Sequence, residues 1–173
     1  MSDENPQLEQ AEEERDDGAP IESLEAYFDA RGWVCERTGE GEIVASAPGS
    51  WAQYELRGVW RPDDQVLQFL AFPDIKVGAE KTLAIYETLG LVNEQLWLGH
   101  FELWSGSGLI VFRHAALVDA GEDGLSFEQA ESIVEAALEE CERFYPVFQF
   151  VLWGGKSPSE AIAAALIDTA GEA

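Results

Sequence analysis

The chain has 173 residues, of which 46% are hydrophobic, and its 34 acidic and 10 basic residues give a formal net charge of -24. A chain of this length buries about 70% of its extended surface, which is enough for one globular domain. The charge repels phosphate backbones and anionic membranes, so the sequence predicts binding to neither nucleic acid nor membrane. A basic protein partner, metal cations or solubility alone would each account for the acidity.

The N-terminal segment is acidic and nearly free of large apolar side chains, so burial cannot offset the entropy lost on ordering it. We expect residues 1–19 to form a disordered acidic tail and residues 20–173 to form a single domain. No signal peptide and no apolar run of about 20 residues is visible. Cys35 and Cys141 belong to no cluster with metal-ligand spacing. These features predict a soluble, cytoplasmic protein with free thiols.

The first half of the domain predicts a helix, four strands and a second helix. A short amphipathic helix begins at Pro20 and ends at Gly32. Alternating residues bounded by turns then predict an antiparallel meander. Its strands are residues 33–37, 42–47, 51–60 and 65–72. Helical spacing returns over residues 79–96, where Gly90 costs about 1 kcal/mol relative to alanine unless another backbone approaches closely.

A β-hairpin follows, with its turn at residues 105–108. This turn sets Trp104 opposite Leu109 and predicts an exposed ion pair between Glu102 and Arg113. Alternation separates a face that joins the core from a second face. The core face carries Phe101, Leu103, Ile110, Phe112 and His114. The second face carries His100, Glu102, Trp104, Leu109, Val111 and Arg113.

The C-terminal region predicts helices with defined starts. Ser126 and Gln129 form a capping box ahead of a long apolar stripe, and residues 157–160 form another. Pro146 bends or restarts the first of these helices. Residues 147–153 have the composition of a buried strand, yet the proline before them and the glycines after them favour a short buried helix. Strands followed by helices predict an α+β fold in two layers.

Candidate catalytic motifs fail on spacing or placement. The sequence WGGKS, residues 153–157, ends like a phosphate-binding loop, but such a loop requires glycine where Phe150 stands. His100 and His114 lie on opposite faces of the hairpin and cannot converge on one ligand. Cys141 falls on the apolar stripe of a helix, where cysteines are usually inert. We therefore expect no catalytic residue, no cofactor and no metal site.

Two segments of the sequence resemble a known family. The first is NEQLWLGHFELW with FRHAAL after it, and the second is ALEECERFYPVFQFVLWGGKSPSEAIAAAL. They resemble the YbjN family of bacterial sensory transduction regulators, over roughly residues 21–173. The resemblance implies an antiparallel sheet packed with helices, similar to the small dimeric chaperones of type III secretion. The predicted order of strands and helices is compatible with that fold and has one or two more C-terminal helices than its simplest version. It implies no enzymatic activity and transfers no catalytic role.

These observations favour a non-enzymatic interaction module, a regulator or chaperone-like adaptor that holds a segment of a protein partner. The alternatives are an enzyme with an unrecognised carboxylate or histidine site, and a purely structural subunit. We also expect a homodimer, because both hairpin faces carry more apolar surface than one helical layer can cover. The predicted partner or dimer surface comprises Trp104, Leu109, Val111, Gly90 and Trp97.

Overall fold

The fold is given by a computed structural model that describes residues 19–119 and 124–170. The expected acidic tail, residues 1–19, lies outside these ranges except for its last residue. Helix α1 (Ala19–Arg31) begins the described chain and ends at Gly32, whose φ of 72° favours a residue without a side chain. The helix predicted here is confirmed, and its apolar face is buried.

Six strands form one antiparallel sheet. The first four form the predicted meander and the last two form the predicted hairpin. They are β1 (Cys35–Gly39), β2 (Glu42–Pro48), β3 (Gln53–Arg61), β4 (Val66–Phe72), β5 (His100–Trp104) and β6 (Leu109–Leu117). The order across the sheet is β1-β2-β3-β4-β6-β5, so the hairpin joins the meander through β6. The edge strands are therefore β1 and β5.

The helices pack on one face of this sheet. After a 3-10 turn (Ala79–Lys81), α2 (Thr82–Asn93) lies against β5, while α1 lies against β2 and β3. Helix α3 (Phe127–Leu152) lies across β4 and β6. Helix α4 (Pro158–Ala170) packs on α2 and α3. The predicted α+β arrangement of a sheet layer and a helix layer is confirmed.

The hairpin has the register that its sequence predicts, with Phe101 opposite Phe112 and Trp104 opposite Leu109. Its predicted core face is also confirmed, since Phe101 is 2% exposed and Phe112 is 1% exposed. The Phe101 ring centroid lies 5.3 Å from that of Phe112 and 5.4 Å from that of Phe148, both in edge-to-face geometry. This aromatic cluster attaches the hairpin to α3.

Helix α3 continues through Pro146, so of the two alternatives predicted there, a bend or a restart, the restart is wrong. The helical conformation favoured over a strand after Pro146 is confirmed as far as Leu152, as part of the same long helix. A proline inside a helix costs about 3 kcal/mol, because it removes a backbone hydrogen bond and clashes with the preceding turn. The apolar stripe nevertheless runs unbroken past the proline and is buried. Its residues there are Phe144, Tyr145, Val147, Phe148 and Val151. Burying each such side chain contributes about 1.5–3 kcal/mol, which outweighs the cost of the proline.

The glycine-rich connection between α3 and α4 ends one helix and starts the next. The Lys156 N–H donates to the Phe150 carbonyl at 3.1 Å, which closes α3. The Glu160 N–H donates to Ser157 Oγ at 3.3 Å, which opens α4. This predicted capping box is confirmed, as is the one at Ser126. The residues that resemble the end of a phosphate loop thus have structural roles.

Candidate interaction surface

The face of the sheet opposite the helices, called the open face below, carries a small apolar cluster of its own. Leu70, Phe72 and Val111 form this cluster, and Trp104 and Leu109 pack against it. Val111 is 0% exposed, and Phe72 is 8% exposed. Alternation along β4 and β6 directs these side chains away from the helices, so the cluster is separate from the main core.

Next to this cluster the open face is concave and forms a groove of about 680 Å³. Alternate residues of β2 and β3 supply its floor. The segment before β1 and the tip of the hairpin supply its ends. The apolar lining consists of Val34, Val44, Phe72, Trp104 and Leu109. The polar lining includes Glu36, Ser46, Gln53, Glu55, Arg57 and Asp74.

Strand register arranges the groove residues in rows across the sheet. Ser46 pairs with Glu55, and Glu55 pairs with Phe72, so one row leads from β2 to the apolar cluster. Val44 pairs with Arg57 in the adjacent row on the same face. Strands lie about 4.8 Å apart, which makes a sheet of this size roughly 24 Å wide. An extended segment of about seven residues would cross it.

Arg57 covers one side of the apolar cluster. Its guanidinium lies 5.0 Å from the centre of the Phe72 ring. Its Nη2 is 2.5 Å from Glu55 Oε1, and Nε donates to the same oxygen at 2.6 Å. The guanidinium is therefore occupied both by an aromatic face and by a carboxylate, and it shields Phe72 from water.

Glu102 fixes the other side of the cluster, because three donors converge on its carboxylate. Trp104 Nε1 donates to Oε2 at 2.9 Å, Arg113 Nη2 to Oε2 at 2.7 Å, and His100 Nε2 lies 2.7 Å from Oε1. The predicted Glu102–Arg113 pair exists, but it is partly buried rather than exposed, with the two side chains 27% and 31% exposed. The tryptophan that closes this network also packs edge to face on Phe72 at 5.5 Å.

The network predicts a specific pH dependence of stability. Burial raises the pKa of Glu102, but hydrogen bonds from His100 and Trp104 and the charge of Arg113 outweigh burial and lower it. A carboxyl group with a lowered folded-state pKa stabilises the protein above its unfolded pKa of about 4.3, and this contribution is lost as the pH falls through the folded pKa.

Glu102→Gln should therefore lower the free energy of unfolding at pH 7 by about 1 kcal/mol, and the deficit should shrink at and below about pH 4. Urea unfolding of both proteins across this range measures the difference. The matched control is Glu139→Gln, at an exposed position in the middle of α3, which should stay within about 0.5 kcal/mol at every pH. A deficit for Glu102→Gln that did not change with pH would contradict the network.

The five residues predicted as a partner or dimer surface fall on two different surfaces. Trp104 and Leu109 line the groove, while Val111 lies beneath them and is fully buried. Gly90 lies on α2, within the helix layer, and a Cβ built there meets no atom within 4 Å. Trp97 follows α2 and is 98% exposed. The five residues therefore do not form one continuous surface.

Other groove residues were not identified from the sequence. The sequence pattern ends a strand at Phe72 without indicating which face its side chain lies on, and it indicates no functional role for Arg57, Val44 or Asp74. Their common feature is the strand position that alternates away from the helices. The sequence displays this alternation, but which face a helix layer covers depends on contacts between distant segments.

Two candidate catalytic side chains considered from the sequence, His114 and Cys141, lie outside the groove. His114 is on the core face, where burial and then the charge of His100 lower its pKa. Cys141 is buried in α3, and burial raises the pKa of its thiol.

Within residues 19–119 and 124–170, no group of three His, Cys, Asp or Glu side chains is placed to hold a metal ion. No helix in these ranges is both long and apolar enough to cross a membrane.

A side chain partly occupies the β5 edge of the sheet. At the β5 edge, the Asn93 side chain accepts from the Phe101 N–H at 2.8 Å and donates to the Phe101 carbonyl at 3.1 Å. These bonds occupy the backbone groups of Phe101, which face the side where an added strand would pair. The open face therefore offers a larger free surface than the β5 edge.

Comparison with known proteins identifies the family. The profile of the YbjN family, described as "Putative bacterial sensory transduction regulator", matches residues 20–150, so α4 lies beyond the match. No curated protein is significantly similar to the sequence. Solved structures that share the fold include the following two.

The first is the crystal structure of YbjN, "a putative transcription regulator from E. coli", which is 14% identical with a TM-score of 0.50, over 70% of this chain and 85% of that chain. The second is ExsC in the ExsC–ExsE complex, which is 20% identical with a TM-score of 0.51, over 73% of this chain and 91% of that chain. Similarity at these identities shows the fold, and it confirms the predicted resemblance to a type III secretion chaperone. With most of its length matched by the family profile, this chain belongs to the YbjN family.

Proposed function

We propose that this protein is a non-enzymatic adaptor that binds a segment of a protein partner in the groove of its open face. The groove is the observation that carries the proposal, because it exposes an apolar strip on a sheet face with no helix in the described chain. Family membership supports a regulatory role. The ExsC–ExsE complex supports a role in protein binding, since a similar fold there holds a second protein.

The shape and chemistry of the groove favour a polypeptide over a small substrate. Small-molecule sites are concave enough to bury most of their ligand and converge a few polar groups on it. Here the apolar residues are spread from Val34 to Trp104 across several strands, and the Arg57–Glu55 pair is satisfied internally. An extended segment would contact the whole strip, which suits a binding surface better than a catalytic pocket.

The groove is also rigid at its apolar end. Trp104 is held by Glu102 and by the edge-to-face contact with Phe72, and Arg57 is held by Glu55. A surface whose side chains are already fixed loses little entropy when a partner binds. Tryptophan and arginine are also the residue types that most often dominate binding energy.

A substitution that fills the groove tests this function. Ser46 is exposed at the centre of the groove floor, so Ser46→Trp adds bulk without changing charge or core packing. Ser132→Trp makes the same change on the exposed side of α3, away from the sheet. Affinity capture from native cell extract with the wild type and both variants should recover one partner with the wild type and Ser132→Trp, and lose it with Ser46→Trp.

Equal recovery by all three proteins would refute the groove as the binding site. Turnover of a metabolite by the purified protein, abolished by Ser46→Trp, would instead support the alternative of an enzyme. Thermal melts of both variants provide the folding control, because an exposed substitution should shift stability by no more than about 0.5 kcal/mol.

We also propose a homodimer that forms through α2 and the segment after it. Leu83, Tyr86 and Gly90 follow one face of α2, and Trp97 and Leu98 follow its end. Leu83 is 83% exposed and Trp97 is 98% exposed, although both are large apolar side chains. A two-fold contact would bury this surface, and Gly90 would let two helices approach closely. The groove would stay free for a partner.

Light scattering in physiological salt, where the Debye length is about 8 Å, tests the dimer. The wild type should have the mass of a dimer at tens of micromolar, and Leu83→Glu should shift it to a monomer, because two added charges would face each other. Leu109→Glu, in the groove, should leave the dimer intact. A monomeric wild type at that concentration would rule this proposal out.

A further inference from the structure

We infer that the groove selects a basic segment, in which Lys or Arg side chains flank an apolar anchor. This inference rests on the proposed function and adds the chemistry of the partner. Three carboxylates line the groove, those of Glu36, Glu55 and Asp74, against the single guanidinium of Arg57. Because Arg57 is paired with Glu55, the groove retains two carboxylates in excess.

Neither excess carboxylate is neutralised by a neighbour in the part of the chain that the structure describes. Glu36 and Asp74 form no ion pair there, and Lys76, two residues after Asp74, pairs with neither. Both carboxylates are exposed. A partner with a cationic side chain at each position would gain two ion pairs, whereas an acidic partner would meet repulsion at both.

The position of Asp74 is fixed by the backbone around it. Asp74 has a φ of 58°, in the left-handed region, directly after β4. The chain then pairs with the start of β6, where the Val77 N–H donates to the Gly108 carbonyl at 2.7 Å and the Ile110 N–H to the Ile75 carbonyl at 3.2 Å. This carboxylate is thus held at the rim of the groove.

The spacing of the two carboxylates limits the sequence that fits. Glu36 is on β1, and Asp74 follows β4, three strand spacings away across the sheet. Along the strand direction Asp74 lies two same-face rows, or four residues, beyond the row that contains Glu36. The separation is on the order of 20 Å, which about six extended residues span. Between them lie Val44 and the Glu55–Arg57 pair, whose guanidinium covers the Phe72 ring. The fitting segment therefore carries two basic residues about six positions apart, with aliphatic or aromatic side chains between.

The net charge of -24 acts in the same direction, since it raises the local concentration of a basic segment and speeds its encounter. Such attraction alone would not be specific to the groove. A test must therefore separate the groove carboxylates from the general charge of the surface.

Selection from a phage-displayed library of random dodecapeptides provides this separation. The wild type is the bait, and Ser46→Trp is present in excess as a soluble competitor, so that peptides held only by general charge are removed. The recovered peptides should be enriched at least about twofold in Lys and Arg, with apolar residues between. Recovery of neutral or acidic peptides would overturn the inference but leave the proposed function standing. Failure to recover any peptide that prefers the wild type would overturn both.

Two double variants then compare equal losses of charge. Glu36→Gln with Asp74→Asn removes the groove carboxylates, and asparagine tolerates the left-handed backbone at position 74. Glu128→Gln with Glu139→Gln removes two exposed carboxylates of α3. The first should weaken a selected basic peptide about fivefold and the second less than about twofold, because each partly exposed ion pair contributes modestly. Equal weakening by both would assign the preference to general charge and overturn the inference.

Discussion

Phe101→Ala is expected to lower the free energy of unfolding by about 3–5 kcal/mol, the largest effect of any single side-chain truncation proposed for this protein. The Phe101 ring is 2% exposed and lies against three aromatic rings, at 5.3 Å from Phe112, 6.0 Å from Phe144 and 5.4 Å from Phe148. Truncation would leave a cavity between the hairpin and α3, which the fixed strands and helix could only partly close.

Denaturant unfolding of the purified protein measures this loss. Leu117→Ala is the control on the same hairpin, because Leu117 is 85% exposed and its truncation should cost less than about 0.5 kcal/mol. A loss below about 1 kcal/mol for Phe101→Ala would mean that the hairpin is not docked on α3 as described.

Gly99→Ala should cost about 2–4 kcal/mol, for two reasons that can be measured apart. Gly99 has a φ of 68°, a conformation that costs a non-glycine residue about 1–2 kcal/mol. A Cβ at this position would also lie 2.8 Å from the backbone carbonyl oxygen of Arg113. It would come still closer to the ring of Phe112, so the start of β5 would have to shift.

Gly32→Ala isolates the first of these reasons. Gly32 has a φ of 72°, but a Cβ built there meets no atom within 4 Å. Gly32→Ala should therefore lower the free energy of unfolding only by the cost of holding a residue with a side chain in the left-handed backbone conformation. That cost is about 1–2 kcal/mol, and the same denaturant measurement determines it. Equal losses for the two glycine variants would show that the start of β5 is not packed as closely on Phe112 and Arg113 of β6 as the structure has it.

Much of the fold could be predicted because its signals are local. The hairpin register follows from a short turn and a strict alternation, and the pairing of Trp104 with Leu109 was obtained from these alone. The capping boxes at Ser126 and Ser157 are likewise set by residues three positions apart.

The continuity of α3 was not predictable in the same way. Pro146 is a local signal for a helix restart, and that signal was misleading. Whether a proline stays inside a helix depends on how much apolar surface both halves bury against the sheet. That burial involves strands far away in the sequence, so local propensity could not decide it.

The candidate site was predictable only in part. The sequence identified Trp104 and Leu109, because they lie on the hairpin face opposite the core. It did not identify Phe72 on β4 or Arg57 on β3. The sequence does not show that the hairpin joins the meander through β6, and this order is what brings β4 and β3 next to the hairpin. Nor could it show that Glu102 gathers three donors, since that depends on side-chain directions.

Site-specific photo-crosslinking tests whether a protein partner occupies the groove. A photoreactive phenylalanine derivative replaces Ser46 in one protein and Ser132 in another, and both are irradiated inside the cells that make the protein. We expect an adduct with a second polypeptide from position 46, which lines the groove, and none from position 132 on the outer side of α3. An adduct from position 132 without one from position 46 would contradict it.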